Sequence, residues 1–297
     1  MVAQADAFYE TQWLKGTILK FQSEGFVTKG LGLAPAQVNA NEVKWRLAGA
    51  GTAVTLQRGA HEVVPMNAAR EIVTGTMTAK QAAEYIDGVD VNRMSENEKD
   101  IVNRTCAMAL GRAHDGMFSD ALVAGATSLG SSIGDFSSKM TLGMLIEAKA
   151  ALEKRLKRAA NYRIFGLFTS NPWNQLLTFP EFSNSQWVGT DLPFSKMTDR
   201  RAWNGMYLMQ VPDDMLPLAN TDDRTCFLFA QEAIGQANAQ TLTGHVSWEN
   251  SRTAWLHNMW LDMCVKCLQP EGVQDIKVDD NAAIETMSTQ LLTALGS

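Results

Sequence analysis

The sequence predicts an α+β protein, and three stretches carry that prediction. Residues 95–125 run without proline and keep small and apolar side chains at steps of three and four, the pattern of one long helix. Residues 43–57 alternate apolar and polar side chains on both sides of a glycine-rich turn, the pattern of a two-stranded ribbon. Residues 255–267 alternate in the same way and predict a long strand. Composition agrees: 297 residues with 45% apolar and 20% charged side chains exclude both a disordered chain and a minimal disulfide scaffold. The cysteines Cys106, Cys226, Cys264 and Cys267 are too few for a disulfide framework and read as reduced thiols in a cytosolic chain. A net charge of −6 is the opposite of what wrapping nucleic acid by phosphate neutralisation requires. Apolar runs stay below the ~18 residues of a membrane-spanning helix. Met1 to Glu10 carries Asp6 and Glu10 but no basic residue, so it does not read as a signal peptide.

In chain order, Phe8, Trp13, Leu14, Ile18, Leu19 and Phe21 mark an amphipathic stretch over 6–23, interrupted by Gly16. Residues 25–37, with Gly25, Gly30, Gly32 and Pro35, read as an arm that leaves the body. In the ribbon, Val43, Trp45 and Leu47 are expected to face Val54 and Leu56 across the tip 48–52. A lone ribbon is marginal in water, so it must lie on the body or on another subunit. Ser95 and Glu98 form a capping box for the long helix. Its stripe of Val102, Cys106, Ala109, Ala113, Met117, Ala121 and Ala124 is mostly small residues, so something packs closely against it. A serine- and glycine-rich loop over 126–139 leads to a second helix over 141–157, with Leu142, Leu145, Ala148, Leu152 and Leu156 on its core face. Residues 164–168 and 226–229 read as buried strands, and Asn171-Pro172-Trp173 opens a short helix. Residues 179–219 are turn-rich. From 255 to 267 a four-residue polar spacing competes with the alternation. The strand is preferred because Val273, Ile276 and Val278, after the Pro270-Glu271-Gly272 turn, look like a continuing edge. Ile284, Met287, Leu291 and Leu295 predict a C-terminal amphipathic helix.

The chemical motifs weaken on inspection. Gly130-Ser131-Ser132-Ile133-Gly134 matches a nucleophile elbow, with His245 and His257 downstream, but it follows a helix rather than a strand, so the serine-hydrolase reading of Ser132 lacks its context. Cys264-Val265-Lys266-Cys267 matches a redox motif, yet on a strand these two side chains point to opposite faces. Cys106 and Cys226 form no second close pair for zinc. Gly49-Ala50-Gly51 has no third glycine or following helix. His61-Glu62 lacks a second histidine, and Pro65 would break the helix that motif needs. His114, beside Asp115, reads as solvated or packed against a neighbour rather than as a ligand. The basic run Lys154, Arg155, Lys157 and Arg158 reads as a helix end. No catalytic, cofactor or metal set emerges.

The order of parts is then the informative feature: arm, ribbon, long helix, loop, α/β insert, long returning strand. The stretch 78–90 followed by 109–115, then 163–177 with its Asn-Pro-Trp, then 246–273, together resemble the major capsid proteins of tailed bacteriophages, the Hong Kong 97-like fold. That resemblance implies a non-enzymatic, self-assembling shell of hexamers and pentamers that encloses double-stranded DNA without sequence-specific binding, in the virion, assembled in the host cytoplasm. It implies an N-terminal arm at 1–39 and an extended loop at 40–65 over a neighbouring subunit. A peripheral domain with the spine helix would span 66–139 and 241–278, an axial domain 140–240, and a C-terminal extension 279–297. Lys44, Trp45, Arg46, Arg58 and Glu62 are the expected inter-subunit contacts. A portal, decoration proteins, and a separate scaffolding protein or a removed propeptide are implied partners; a membrane is not. Lys44 is the one lysine of the ribbon, so lysine–asparagine cross-linking is not expected. An encapsulin-type compartment shares the same parts.

Overall fold

A computed structural model describes residues 23–35, 37–39, 41–55, 65–88, 98–157, 162–179 and 200–284, with isolated positions besides. The expected segments over 6–22 and 285–295 and the Ser95 cap lie outside the described residues. Eleven strands and three helices lie within them. The strands are β1 (Gln37–Asn39), β2 (Glu42–Ala48), β3 (Arg70–Thr76), β4 (Thr78–Asp87), β5 (Ile164–Phe168), β6 (Arg200–Trp203), β7 (Met206–Gln210), β8 (Asp223–Ala230), β9 (Ile234–Glu249), β10 (Ala254–Cys267) and β11 (Val273–Asp279). The helices are α1 (Glu98–Leu129), α2 (Leu142–Arg155) and α3 (Ser170–Leu177). The strands make three sheets: β1-β2-β3, β4-β10-β9 and β11-β8-β5-β7-β6.

The five-stranded sheet is buried on both faces, which is why its central strands read as unbroken apolar runs rather than as alternation. Ile164 and Phe168 of β5 and Cys226 and Leu228 of β8 point into one core with α2 and α3. Leu167, Phe227 and Phe229 point into the opposite core, against Phe118 and Leu122 of α1. Thr141 caps α2, its hydroxyl accepting from the Met144 amide at 3.2 Å. Leu145, Ala148 and Leu152 form the buried line of that helix, as their spacing predicts.

α1 has 32 residues, so it spans ~48 Å and joins two cores. Its buried line is Val102, Cys106, Leu110, His114, Phe118 and Leu122. The expected stripe is correct at Val102, Cys106 and Ala121, but Ala109, Ala113 and Met117 are half-buried and Ala124 is exposed. The reason is geometric. Steps of four rotate the buried direction by ~40° each, so the helix turns its inner face from one partner to another along its length. Near its start it covers Ile86 of β4 and Met259 of β10. Near its end it covers the five-stranded sheet. Polar His114, Asp115 and Ser119 lie within that inner face, which hides it from a hydrophobicity pattern.

The strand reading of 255–267 is correct. β10 pairs with β4 on one side and with β9 on the other. β11 does not continue that sheet; it pairs antiparallel with β8, Ile276 opposite Cys226, at the edge of the five-stranded sheet. The 3-10 turn Pro270–Gly272 redirects the chain between the two.

Candidate assembly surface

The ribbon is built differently from the expected hairpin. β2 pairs with β3, Trp45 opposite Val73 and Arg46 opposite Ile72, rather than with residues 54–57. Beyond the pairing, the Gly49 amide donates to the Ala69 carbonyl at 2.7 Å, and the tip lies between those two residues. Only two apolar residues alternate around Val54, too few to specify a strand, whereas Ile72 and Val73 belong to a longer β-branched run. Because paired residues share a face, Val43 and Trp45 lie with Val73 and Gly75 on one side, while Arg46 and Ile72 lie on the other.

These two faces have opposite fates. Val43 is fully buried and Trp45 is 1% exposed, in a core with Met77, Ala237 and Cys264. The indole sits between Gly75 and Gly235, where a β-carbon would come within 2.9 and 2.6 Å of its ring. Its Nε1–H donates to the Leu33 carbonyl at 3.4 Å. Trp45 is therefore an interior anchor of the ribbon root, at a position where the sequence predicts an inter-subunit contact. Sequence pattern alone does not separate the two roles, since both need an aromatic residue on one strand face. The other face and the tip carry exposed apolar side chains: Val54, Val63 (84% exposed), Met66 and Ile72 (59%). Arg46 is exposed with them, and Lys44 lies 3.6 Å from Glu42 in a surface ion pair. Arg58 and Glu62 are outside the described residues. Ile72, Val63 and Met66 are the surface residues that sequence reasoning missed; for Ile72 the β-branched run Ile72-Val73-Thr74 was the signal, and Val63 and Met66 had none.

The segment expected to leave the body is fastened to it. Asp115 of α1 accepts from the Val27 amide at 3.0 Å, the Thr28 amide at 3.1 Å and the Thr28 hydroxyl at 2.7 Å. Burial alone would raise the pKa of this carboxyl, but hydrogen bonds from His114, Thr28 and Val27 outweigh it and lower the value. Gln236 of β9 accepts from the Gly30 amide at 3.0 Å and meets His114 Nε2 at 2.7 Å. Fully buried His114 is thus packed among neighbours rather than solvated. Close approach needs glycine here: a β-carbon on Gly25, at φ +74°, would lie 2.3 Å from the Gly111 carbonyl carbon.

The motif candidates carry no chemistry of the kind they suggest. Ser132 Oγ, on the loop between α1 and α2, donates to Asp275 Oδ2 of β11 at 2.5 Å, and no hydrogen bond from a histidine reaches it among the described residues. Cys264 lies against the β-carbon position of Gly75, and Cys267 against that of Gly125, on opposite sides of β10. Burial raises the pKa of both thiols, Cys267 to about 11, and that of Cys226 to about 12, the reverse of what a redox dithiol needs. Among the described residues no group of three or more His, Cys, Asp or Glu side chains could hold a metal ion. No helix among them is long and apolar enough to cross a membrane.

A family model described as "Phage capsid protein" matches residues 5–280. The chain belongs to the phage capsid protein family. This major capsid protein forms the phage head shell and has its place in the virion capsid. Its fold is Hong Kong 97-like, and solved structures agree at low sequence identity. The capsid of the cyanophage P-SCSP1u matches with a TM-score of 0.68 at 11% identity, covering 89% of this chain and 91% of that one. A chain of Gordonia phage Cozz matches with a TM-score of 0.65 at 13% identity, covering 95% of each. The capsid of Ralstonia phage GP4 matches with a TM-score of 0.63 at 11% identity, covering 94% of this chain and 97% of that one. No curated protein matches. The capsid protein self-assembles into that shell.

Proposed function

We propose that the capsid protein builds an icosahedral shell of hexamers and pentamers around double-stranded DNA, and that its role is mechanical rather than catalytic. The observation that carries this reading is the two-faced ribbon: one face is locked into its own subunit by Trp45, while the other face presents Ile72 and the tip presents Val63 and Met66 to solvent. Exposed apolar side chains grouped on one projection mark an interaction surface. Arg46 and Lys44 beside them supply charge for register with the neighbour. The ribbon spans residues 42–76, longer than its sequence pattern suggests. The peripheral domain then comprises α1 with β4, β9 and β10, and the axial domain comprises α2, α3 and the five-stranded sheet, β11 included. A net charge of −6 suits a container that holds DNA without gripping it. A scaffolding protein, a portal and decoration proteins complete the head.

The test is the paired substitution Val63→Asp and Ile72→Asp, followed by sedimentation of the purified protein. The reading predicts loss of closed particles with unchanged subunit unfolding. Normal particles from the double variant would refute it. Nucleic acid inside wild-type particles separates a viral shell from an encapsulin-type compartment.

A further inference from the structure

Ser132, the serine that the sequence singles out, lines a cavity of about 500 Å³. One side of that cavity is a patch of the five-stranded sheet. Asp275 pairs with Phe227 and Lys277 with Thr225, and paired residues share a face, so all four line the cavity. Ile276 and Cys226, between them, point into the core with α2 instead. Val123, Ala126 and Thr127 of α1 make a second wall, and Pro217 and Ala219 a third. Phe136 joins Ser132 from the loop between α1 and α2.

Most of this lining is apolar, but its electrostatics favour a positive charge. Asp275 is 4% exposed; its Oδ2 accepts from Ser132 at 2.5 Å, and its Oδ1 has no hydrogen-bond partner among the described residues. A buried carboxylate held by one donor is costly, so the site favours a group that brings more. The neighbouring cations are engaged elsewhere. Arg155 donates to Gln274 Oε1 at 2.7 Å and to the Val273 carbonyl at 3.3 Å, and the Lys277 amine lies 5.4 Å from the centre of the Phe136 ring. The C-terminal end of α1 reaches the cavity through Ala126, Thr127 and Gly130, and its last turn holds no basic residue to offset the negative pole of the helix. The chain around the lining adds to that field: residues 130–139, 213–224 and 275–280 hold eight aspartates against Lys139, Arg224 and Lys277.

The walls decide what kind of cation fits. Among the described residues no group of three or more His, Cys, Asp or Glu side chains could hold a metal ion. The volume falls in the range of small-molecule sites, about 300–1,000 Å³, rather than that of a single water. A bare ammonium ion would leave Val123, Phe136 and Phe227 uncovered, whereas a cation on an apolar body covers them.

We propose that this cavity binds a small organic cation, an amidinium or primary ammonium carried on an apolar body. The charged end sits at the Asp275 carboxylate, and the body lies against Val123, Phe136 and Phe227. Bound there, the ligand ties the end of α1 to β11 and to the segment 217–219, and it stabilises the folded subunit by mass action. This goes beyond the shell reading and does not depend on it.

The test is calorimetric titration of the purified full-length protein with benzamidine, whose planar amidinium matches a carboxylate, and with benzamide, its neutral counterpart of the same shape. The proposal predicts one benzamidine per chain with a Kd below ~1 mM, and benzamide weaker by about tenfold or more. Asp275→Asn lowers the benzamidine affinity by about tenfold or more, with urea unfolding as the check that the variant is folded. Thr127→Trp, at an exposed position on the end of α1, fills the cavity without touching the core and lowers the affinity by a similar factor, so the assignment stays testable if Asp275→Asn does not fold. No benzamidine binding, equal affinity for the two compounds, or binding that Thr127→Trp leaves unchanged would each overturn the proposal.

Discussion

Replacing Trp45 by alanine tests how the ribbon is joined to the subunit. The indole is 1% exposed and packs against Gly75 and Gly235, neither of which has a side chain that could move into the space left behind. The cavity therefore stays open, and Trp45→Ala belongs at the costly end of aromatic truncations, about 4 kcal/mol. The Leu33 carbonyl also loses the indole N–H that reaches it at 3.4 Å. With a urea dependence near ~2.5 kcal/mol per molar, the unfolding midpoint of dissociated subunits falls by about 1.5 M. Arg46→Ala, one residue along and on the exposed face, is the control: it leaves unfolding within about 0.5 kcal/mol and weakens assembly. A midpoint for Trp45→Ala close to wild type, with assembly lost, would place the indole against a neighbour and refute the interior role.

Asp115→Ala leaves the amides of Val27 and Thr28 and the Thr28 hydroxyl without their acceptor, so it should cost about 3 kcal/mol and free the clamped backbone around the already exposed Lys29 for faster cleavage by trypsin; unchanged cleavage would contradict the clamp. Because the folded-state pKa of Asp115 is lowered, its contribution is present above the unfolded value of about 3.9 and fades as the pH falls from there through the folded value. Acid titration of segment 23–33, followed by hydrogen exchange, should show release in that window and no change above it. Arg224→Met breaks an ion pair whose side chains are 9% and 16% exposed and should destabilise the subunit by about 3 kcal/mol, measured by urea unfolding. Cys226 and Cys267, with thiol pKa values of about 12 and 11, should resist maleimide at pH 8 until the protein unfolds; rapid labelling in the folded state would contradict their burial.

Much of this architecture is legible in the chain because each element carries its own period. The 3.6-residue pattern of α2 and the unbroken apolar runs of β5 and β8 lead directly to elements of the right type and near the right bounds. Legibility fails where tertiary context decides. The β2–β3 pairing closes over a stretch of some twenty residues, and no local turn signal links Ala48 to Arg70. β11 has the apolar pattern of an edge strand, but nothing local says which of two sheets it joins; Ile276 finds Cys226 only in the fold. The inner face of α1 includes Asp115 and His114 because the segment 27–30 and Gln236 satisfy them, and their polarity argues the other way until those partners are known. Trp45 has the same ambiguity. An aromatic residue on an alternating strand serves an interface or a core equally well, and only Gly75 and Gly235 decide.

The central claim is that this capsid protein closes into a shell through the exposed face of its ribbon, and light scattering on the purified protein, with the same fraction viewed by electron microscopy, tests it most directly. The account predicts closed particles of megadalton mass in which density for the ribbon, Ile72 and Val63 included, lies on the adjacent subunit. A stable monomer of 32.6 kDa, or a closed particle whose ribbons project free into solvent, would contradict it.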